Sequence, residues 1–137
     1  MISKTVALKV ILDSNFLLVP SQFKLDIFED MTSLLNQSYE PILLSTTLHE
    51  LQRMADEGAP KLRKQTQIAL KLAEKCQLVN VERKEKETND DVIVRVALQQ
   101  KCAVATNDSA LRRRLRDISI PVIYLRQKSR LELEGSI

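Results

Sequence analysis

The chain has a single histidine, His49, in 137 residues. Two histidines exchanging protons, or a zinc ion held by several imidazoles, are therefore excluded. Its two glycines, Gly58 and Gly135, are too few for a Gly-rich phosphate loop or a dinucleotide-binding fingerprint. Its two cysteines, Cys76 and Cys102, lie far apart without metal-ligand spacing. Their apolar neighbours imply buried free thiols and a reducing, cytoplasmic setting. Tryptophan is missing and aromatic residues make up 4% of the chain, which argues against a platform for stacking single-stranded bases. No apolar run reaches the length of a membrane-spanning helix, so no membrane association is expected. Met1-Ile2-Ser3-Lys4 leads straight into a strand-like run with no secretory signal pattern. Any catalysis must run on carboxylates, hydroxyls, amides and basic groups.

What remains is a globular composition, 44% hydrophobic and 28% charged. The length fits one domain over residues 1–137, with a core at about 7–125 and a polar tail at 126–137. That tail could be mobile or could pack as a short strand. Apolar runs of strand length are expected at 9–12, 41–44, 78–81, 102–105 and 121–125. Helical spacing predicts helices from 20 to about 37, from 46 or 47 to near Gly58, from Pro60, over 89–100 and over 109–117. In the helix from Pro60, Ile68, Leu72 and Ala73 are expected inward, with Lys61, Lys64, Lys71 and Lys75 outward. A mixed-charge loop is expected at 82–87. Strands alternating with helices point to an α/β fold: a three-layer αβα sandwich around a central, mostly parallel five-stranded sheet.

Acids stand where those strands end or the following helices begin. Val10-Ile11-Leu12 runs into Asp13, and Val104-Ala105 runs through Thr106-Asn107 into Asp108. Glu50 is expected to open the helix after Pro41-Ile42-Leu43-Leu44, and Asp90-Asp91 the helix before Lys101. In an open α/β sheet, ligands bind beyond the carboxyl ends of the strands, so these acids can converge at one edge. Carboxylates gathered in that way raise one another's pKa. A divalent cation with a preference for oxygen, Mg²⁺ or Mn²⁺, one or two ions, offsets the repulsion.

Each acid also has a plainer explanation. Thr47-Leu48-His49-Glu50 has the pattern of a capping box. Asp90 and Asp91 suit the dipole of a first helical turn. Asp108 can cap the helix from Ser109. Asp13 interrupts a buried strand before the turn-forming Ser14-Asn15, and is the hardest to explain by structure alone. Register favours Asp90, three residues before Ile93 on the sheet-facing stripe, and keeps Asp91 as the alternative. Asp91 lies four before Arg95, where an exposed ion pair is expected. Asp26, Glu29, Asp30, Asp56 and Glu57 read as solvated helix faces.

The net charge is only +3, so its distribution matters more than its total. Arg112, Arg113, Arg114 and Arg116 cluster directly after the proposed acidic site. Lys61, Arg63 and Lys64 lie mid-chain, and Arg126, Lys128 and Arg130 near the end. Solvated helix faces are the plain reading of such runs, and a phosphate-rich partner is the functional one.

The chain resembles PIN-domain proteins. The resemblance rests on Leu12-Asp13-Ser14-Asn15, Thr47-Leu48-His49-Glu50-Leu51, Asn89-Asp90-Asp91-Val92-Ile93 and Val104-Ala105-Thr106-Asn107-Asp108, in that order across about residues 7–135. More narrowly, it is similar to small archaeal PIN proteins related to the ribosomal-RNA-processing branch. Phe16-Leu17-Leu18-Val19-Pro20, Thr106-Asn107-Asp108-Ser109-Ala110-Leu111-Arg112 and Pro121-Val122-Ile123-Tyr124-Leu125-Arg126-Gln127-Lys128 support that narrower likeness. The resemblance implies a metal-dependent endoribonuclease with Asp13, Glu50, Asp90 and Asp108 as its acids. It further implies Asp13, Asp90, Asp91 and Asp108 as candidate Mg²⁺ or Mn²⁺ ligands, and Asn15 and Thr106 as polar supports. Arg112, Arg113, Arg114 and Lys64 would then hold RNA, ribosomal RNA or its precursor, and a homodimer is compatible with the family.

Three other readings compete. A non-catalytic RNA-binding module for ribosome assembly needs the basic groups but no metal. A toxin-type ribonuclease would be held in check by a partner antitoxin. A phosphotransfer domain with an aspartyl nucleophile needs a second acid beside the first, and position 15 is Asn.

Overall fold

Val10, Ile11 and Leu12 are fully buried although they point alternately to opposite faces of their strand. Such a strand must be covered on both sides. In the computed structural model, which describes residues 7–137, it is β1 (Leu8–Leu12), and it lies inside a six-stranded sheet of order β3-β2-β1-β4-β5-β6. The other strands are β2 (Tyr39–Leu44), β3 (Gln77–Val79), β4 (Ala103–Ala105), β5 (Val122–Arg126) and β6 (Arg130–Glu134). The first five pair in parallel, and β6 joins β5 antiparallel. The Met1-Ile2-Ser3-Lys4 stretch lies outside the described residues.

Alternation along the strands builds two cores. Val10, Leu12, Leu43, Ala103, Ala105 and Ile123 share one with α1 (Ser14–Leu17), α2 (Val19–Phe23), α3 (Ile27–Leu35), α4 (Ser45–Glu57) and α5 (Pro60–Ala73). Ile11, Ile42, Leu44, Val104 and Val122 share the other with α6 (Asn89–Gln100) and α7 (Ser109–Asp117). The architecture is the expected αβα sandwich, with one strand more than the sequence suggested.

That extra strand is the polar tail. Arg130-Leu131-Glu132-Leu133-Glu134 alternates with the strand period, and Leu131 is buried in the first core. Its register pairs Val122 with Glu134 and Arg126 with Arg130. The connection is a tight turn with Gln127 at φ 53° and Lys128 at φ 58°, closed by the Ser129 N–H donating to the Arg126 carbonyl at 3.1 Å. Turns of this hand are usually marked by Asn or Gly, and neither residue is present.

Three further expectations change. The helix expected from 20 to 37 is two, because Lys24 is left-handed at φ 55° and closes α2. Asp26 then restarts the chain as the N-cap of α3, accepting from the Glu29 N–H at 3.1 Å, so Asp26 is more than a solvated side chain. Ile68 faces outward at 45% exposure, because Thr66, Ala69 and Ala73 form the buried stripe of α5. Cys102 is buried as expected, whereas Cys76 is only half-buried; both are free thiols. Among the described residues no helix is long and apolar enough to cross a membrane.

Candidate active site

The sheet order reverses between β1 and β4, where chain connections leave to opposite sides. A crevice beyond the carboxyl ends of two such strands is the usual ligand position in open α/β folds. Asp13 directly follows β1 there, and its N–H extends the ladder to the Ala105 carbonyl at 2.9 Å. The side chain is 6% exposed. Its Oδ1 accepts from the Ser14 N–H at 2.8 Å. Its Oδ2 accepts from the Thr106 hydroxyl at 2.8 Å and from Asn15 Nδ2 at 3.3 Å.

Thr106 is the hinge of the site. Its hydroxyl oxygen also accepts from the Asp108 N–H at 3.1 Å, so one fully buried side chain ties Asp13 to the turn that carries Asp108. Asn15 makes a second tie, its Oδ1 accepting from the Asn107 N–H at 3.0 Å. Asn107 Oδ1 in turn accepts from the Leu125 N–H at 2.9 Å, fixing the turn to β5. Asp108 caps α7, its Oδ1 accepting from the Ala110 and Leu111 N–H groups at 2.9 and 3.2 Å. Capping and membership of the site therefore coexist in Asp108, with Oδ2 left out of the cap.

Glu50 is not a capping residue. α4 begins at Ser45 without a side-chain cap, which places Glu50 in its second turn, and the Thr47 hydroxyl is deeply buried instead. Glu50 Oε2 accepts from Asn89 Nδ2 at 3.0 Å. Asn89 is oriented by Arg83, which donates to its Oδ1. Neither Asn89, Asn107 nor Arg83 was singled out from the sequence. Asn89 adjoins Asp90-Asp91, but nothing local signals its partner 39 residues away.

The two acids of the doublet separate cleanly. Asp91 and Thr88 form the reciprocal capping box of α6, with the Thr88 N–H donating to Asp91 Oδ2 at 2.9 Å and the Asp91 N–H to Thr88 Oγ1 at 3.1 Å. Asp91 also pairs with Arg114 at 3.0 Å, not with the expected Arg95, which binds Glu87 at 2.9 Å. These contacts hold Asp91 below the usual carboxylate range, and they leave Asp90 as the acid of the doublet that senses the others. Asp90 is raised by burial first and then by the charge of Asp108, with Arg114 opposing and Glu50 adding to the rise.

Asp13 shows the same convergence. Burial pushes it up to about 6, against the lowering effect of Thr106 and Ser14, and the charges of Asp90 and Glu50 add to the rise. The charge of Glu50 thus reaches both Asp13 and Asp90, and Asp90 also lies within reach of Asp108. The donor set is oxygen only and anionic, which is the chemistry a hard divalent cation requires. Among the described residues, no three His, Cys, Asp or Glu side chains are grouped tightly enough to hold one ion as they stand. The donor chemistry fits such a cation.

The basic candidates fare differently. Arg112 stacks over the Tyr124 ring at 4.0 Å and lies 4.0 Å from Glu134. Arg114 is tied to Asp91 and Arg116 to Asp117, which leaves Arg113 as the exposed, unpaired member of that cluster among the described residues. Lys64 is exposed on the outer face of α5 and joined to none of the acids by a hydrogen bond or ion pair.

Comparisons with known proteins bear on the family and the fold. The ribonuclease VapC4 of Methanocaldococcus jannaschii is 29% identical over 132 residues, covering 94% of this chain and 98% of that protein. The rRNA-processing protein FCF1 of Saccharomyces cerevisiae is 36% identical over 118 residues, covering 84% of this chain but only 58% of that longer protein. The solved structure of the PIN domain endonuclease Utp24 superposes with a TM-score of 0.77 at 30% identity, covering 94% of this chain and 92% of that one. The family model described as a PIN like domain matches residues 10–128, which takes in all four acids. The chain belongs to the PIN-like domain family, a family of nucleases.

Proposed function

We propose that this protein is an endoribonuclease dependent on Mg²⁺ or Mn²⁺ that hydrolyses phosphodiester bonds of ribosomal RNA or its precursors. The observation that carries the reading is the Thr106 hydroxyl between Asp13 Oδ2 and the Asp108 N–H, inside the shared field of Asp90 and Glu50. A non-catalytic RNA-binding module would have no use for the two carboxyls, Asp13 and Asp90, that burial and neighbouring acids raise.

Asp13, Asp90 and Asp108 would hold the metal. A bound Mg²⁺ or Mn²⁺ supplies a water acidified to near-neutral pKa and positive charge facing the scissile phosphate. Thr106 and Ser14 keep both Asp13 oxygens oriented while they are charged. Asn89 fixes Glu50 through Oε2, so that Oε1 is the atom available to take a proton from the attacking water. Asp108 is oriented by its own helix cap. Arg113 is the exposed cation beside the site that can meet the RNA backbone.

The similarity to the rRNA-processing protein FCF1 supports the processing role, and the likeness to the Utp24 endonuclease structure supports internal cleavage. The full-length likeness to the ribonuclease VapC4 supports RNA as the substrate and leaves a toxin-type ribonuclease as the second reading. The test is cleavage of a labelled pre-rRNA fragment with Mn²⁺, with EDTA, and with Asp13→Asn. Cleavage that requires Mn²⁺ and is lost in the variant supports the proposal. Equal cleavage by Asp13→Asn or in EDTA rejects it.

A further inference from the structure

The helix with the most one-sided charge is not in the acidic site. α5 carries Lys61, Arg63, Lys64 and Lys71, and no acidic residue from Pro60 to Ala73. All four cations are exposed, and among the described residues none is in an ion pair. The arginines after Asp108 behave in the opposite way, since Arg112, Arg114 and Arg116 each have an acidic neighbour within 4.0 Å.

Ordinary helix design does not account for α5. A solvated face is normally laced with acids three or four residues from its cations. The first turns of a helix also disfavour positive charge, because its dipole is positive there. Lys61, Arg63 and Lys64 occupy those turns directly after Pro60. Each departure costs a few tenths of a kcal/mol. Local rules broken without a structural gain are characteristic of surfaces kept for a partner.

The shape of the face agrees. Pro60, Arg63, Lys64 and Gln67 line a shallow concavity of about 390 Å³ with Ala55. It shares Lys64 and Gln67 with a second, of about 390 Å³, that continues over Ile68, Lys71 and Leu72. Lys64 and Lys71 are two turns apart, about 10 Å along the axis. Ile68 is the single large hydrophobic residue that α5 exposes, at 45%. A stable protein interface wants roughly 800 Å² per partner with an apolar centre. A cationic track with one apolar contact suits a polyphosphate strand better.

We infer that the outer face of α5 is a second RNA-backbone site, which anchors substrate beyond the nucleotides at the acidic crevice. The choice of RNA as partner rests on the ribonuclease reading above. The site binds phosphates by charge, without regard to sequence.

The test is filter binding of a 30-nucleotide oligouridine between 50 and 200 mM salt in EDTA, so that no cleavage is needed. The variants are Lys64→Gln/Lys71→Gln and a control of equal charge loss, Lys86→Gln/Lys101→Gln, and thermal melts verify folding. Removing two phosphate contacts from a single strand is expected to flatten the log–log salt slope by about 1.4 and weaken binding at 100 mM salt about ten-fold or more. The control is expected to retain the parent slope. Equal loss in both variants, or loss in neither, overturns the inference. So does a polyglutamate chain that competes for α5 as effectively as the oligouridine, which would assign the face to an acidic protein. A parent that cleaves no RNA with Mn²⁺ would reject the nuclease reading, while the slope comparison in EDTA would still decide the fate of the α5 site.

Discussion

Replacing Asp13 by Asn should make the protein more stable at neutral pH and leave it inactive. Asp13 is 6% exposed and raised to about 6, from a reference of 3.8, chiefly by burial. A carboxyl with a raised folded-state pKa binds its proton more tightly in the folded chain than in the unfolded one. Stability is therefore lost as pH rises from about 4 to about 6, where the unfolded chain has already released that proton. A shift of this size corresponds to ~3 kcal/mol at neutral pH. Asn removes the buried charge but also weakens charge-assisted hydrogen bonds from Ser14 and Thr106, a loss of ~1 kcal/mol. Its amide can still donate to Thr106, whose proton can turn to Asn15 Oδ1 at 3.5 Å. The net expectation is a gain of ~2 kcal/mol at pH 7.5, or ~7 °C in Tm, shrinking toward zero by pH 4. Calorimetric melts of parent and variant across pH 4–8 give the difference directly. Adding Mn²⁺ should reverse the ranking, because saturation at a hundred-fold over Kd stabilises the parent by ~2.7 kcal/mol and the variant far less. A variant less stable than the parent at pH 7.5 without metal, or a difference that does not change with pH, would refute the assignment of a destabilising buried charge.

Thr106→Val keeps the shape but removes the link between Asp13 and the Asp108 N–H, so activity and Mn²⁺ affinity should fall about 10–100-fold, as read by cleavage rates and calorimetric titration. Asn89→Ala should lower kcat by a similar factor of about 10–100 with little change in RNA affinity, because it frees Glu50 without touching a basic surface; an unchanged rate would remove Asn89 from the mechanism. Leu131→Ala should destabilise the fold by ~2–4 kcal/mol in urea melts, which a mobile tail would not show.

Most of the layered fold was readable because parallel, two-face-buried strands are short continuous apolar runs, and helices on either side keep their own period. α6 and α7 matched their expected bounds because capping acids and apolar spacing agreed. β6 could not be decided although Leu131 and Leu133 alternate with charges, since its turn lacks Asn and Gly and relies on left-handed Gln127 and Lys128. The break at Lys24 was hidden for the same reason, a left-handed residue without the usual marker. In the site, the order of acids along the chain sufficed to nominate Asp13, Glu50, Asp90 and Asp108. Local spacing could not show that Asp91 reaches Arg114 or that Asn89 reaches Glu50, because those partners meet only through sheet topology. The ion pairs of Arg112 and Arg114 were not legible either, since their counter-acids Glu134 and Asp91 come from distant segments.

The hydroxyl joining Asp13 to the Asp108 turn bridges a sequence separation of 93 residues. Contacts that distant form late, after loop-closure entropy has been overcome. A nascent or partly collapsed chain therefore has four scattered acids and no cleft. On the proposed nuclease reading, the catalytic cleft is complete only with the finished sheet, so a ribosome would synthesise this protein without being exposed to an active fragment of it.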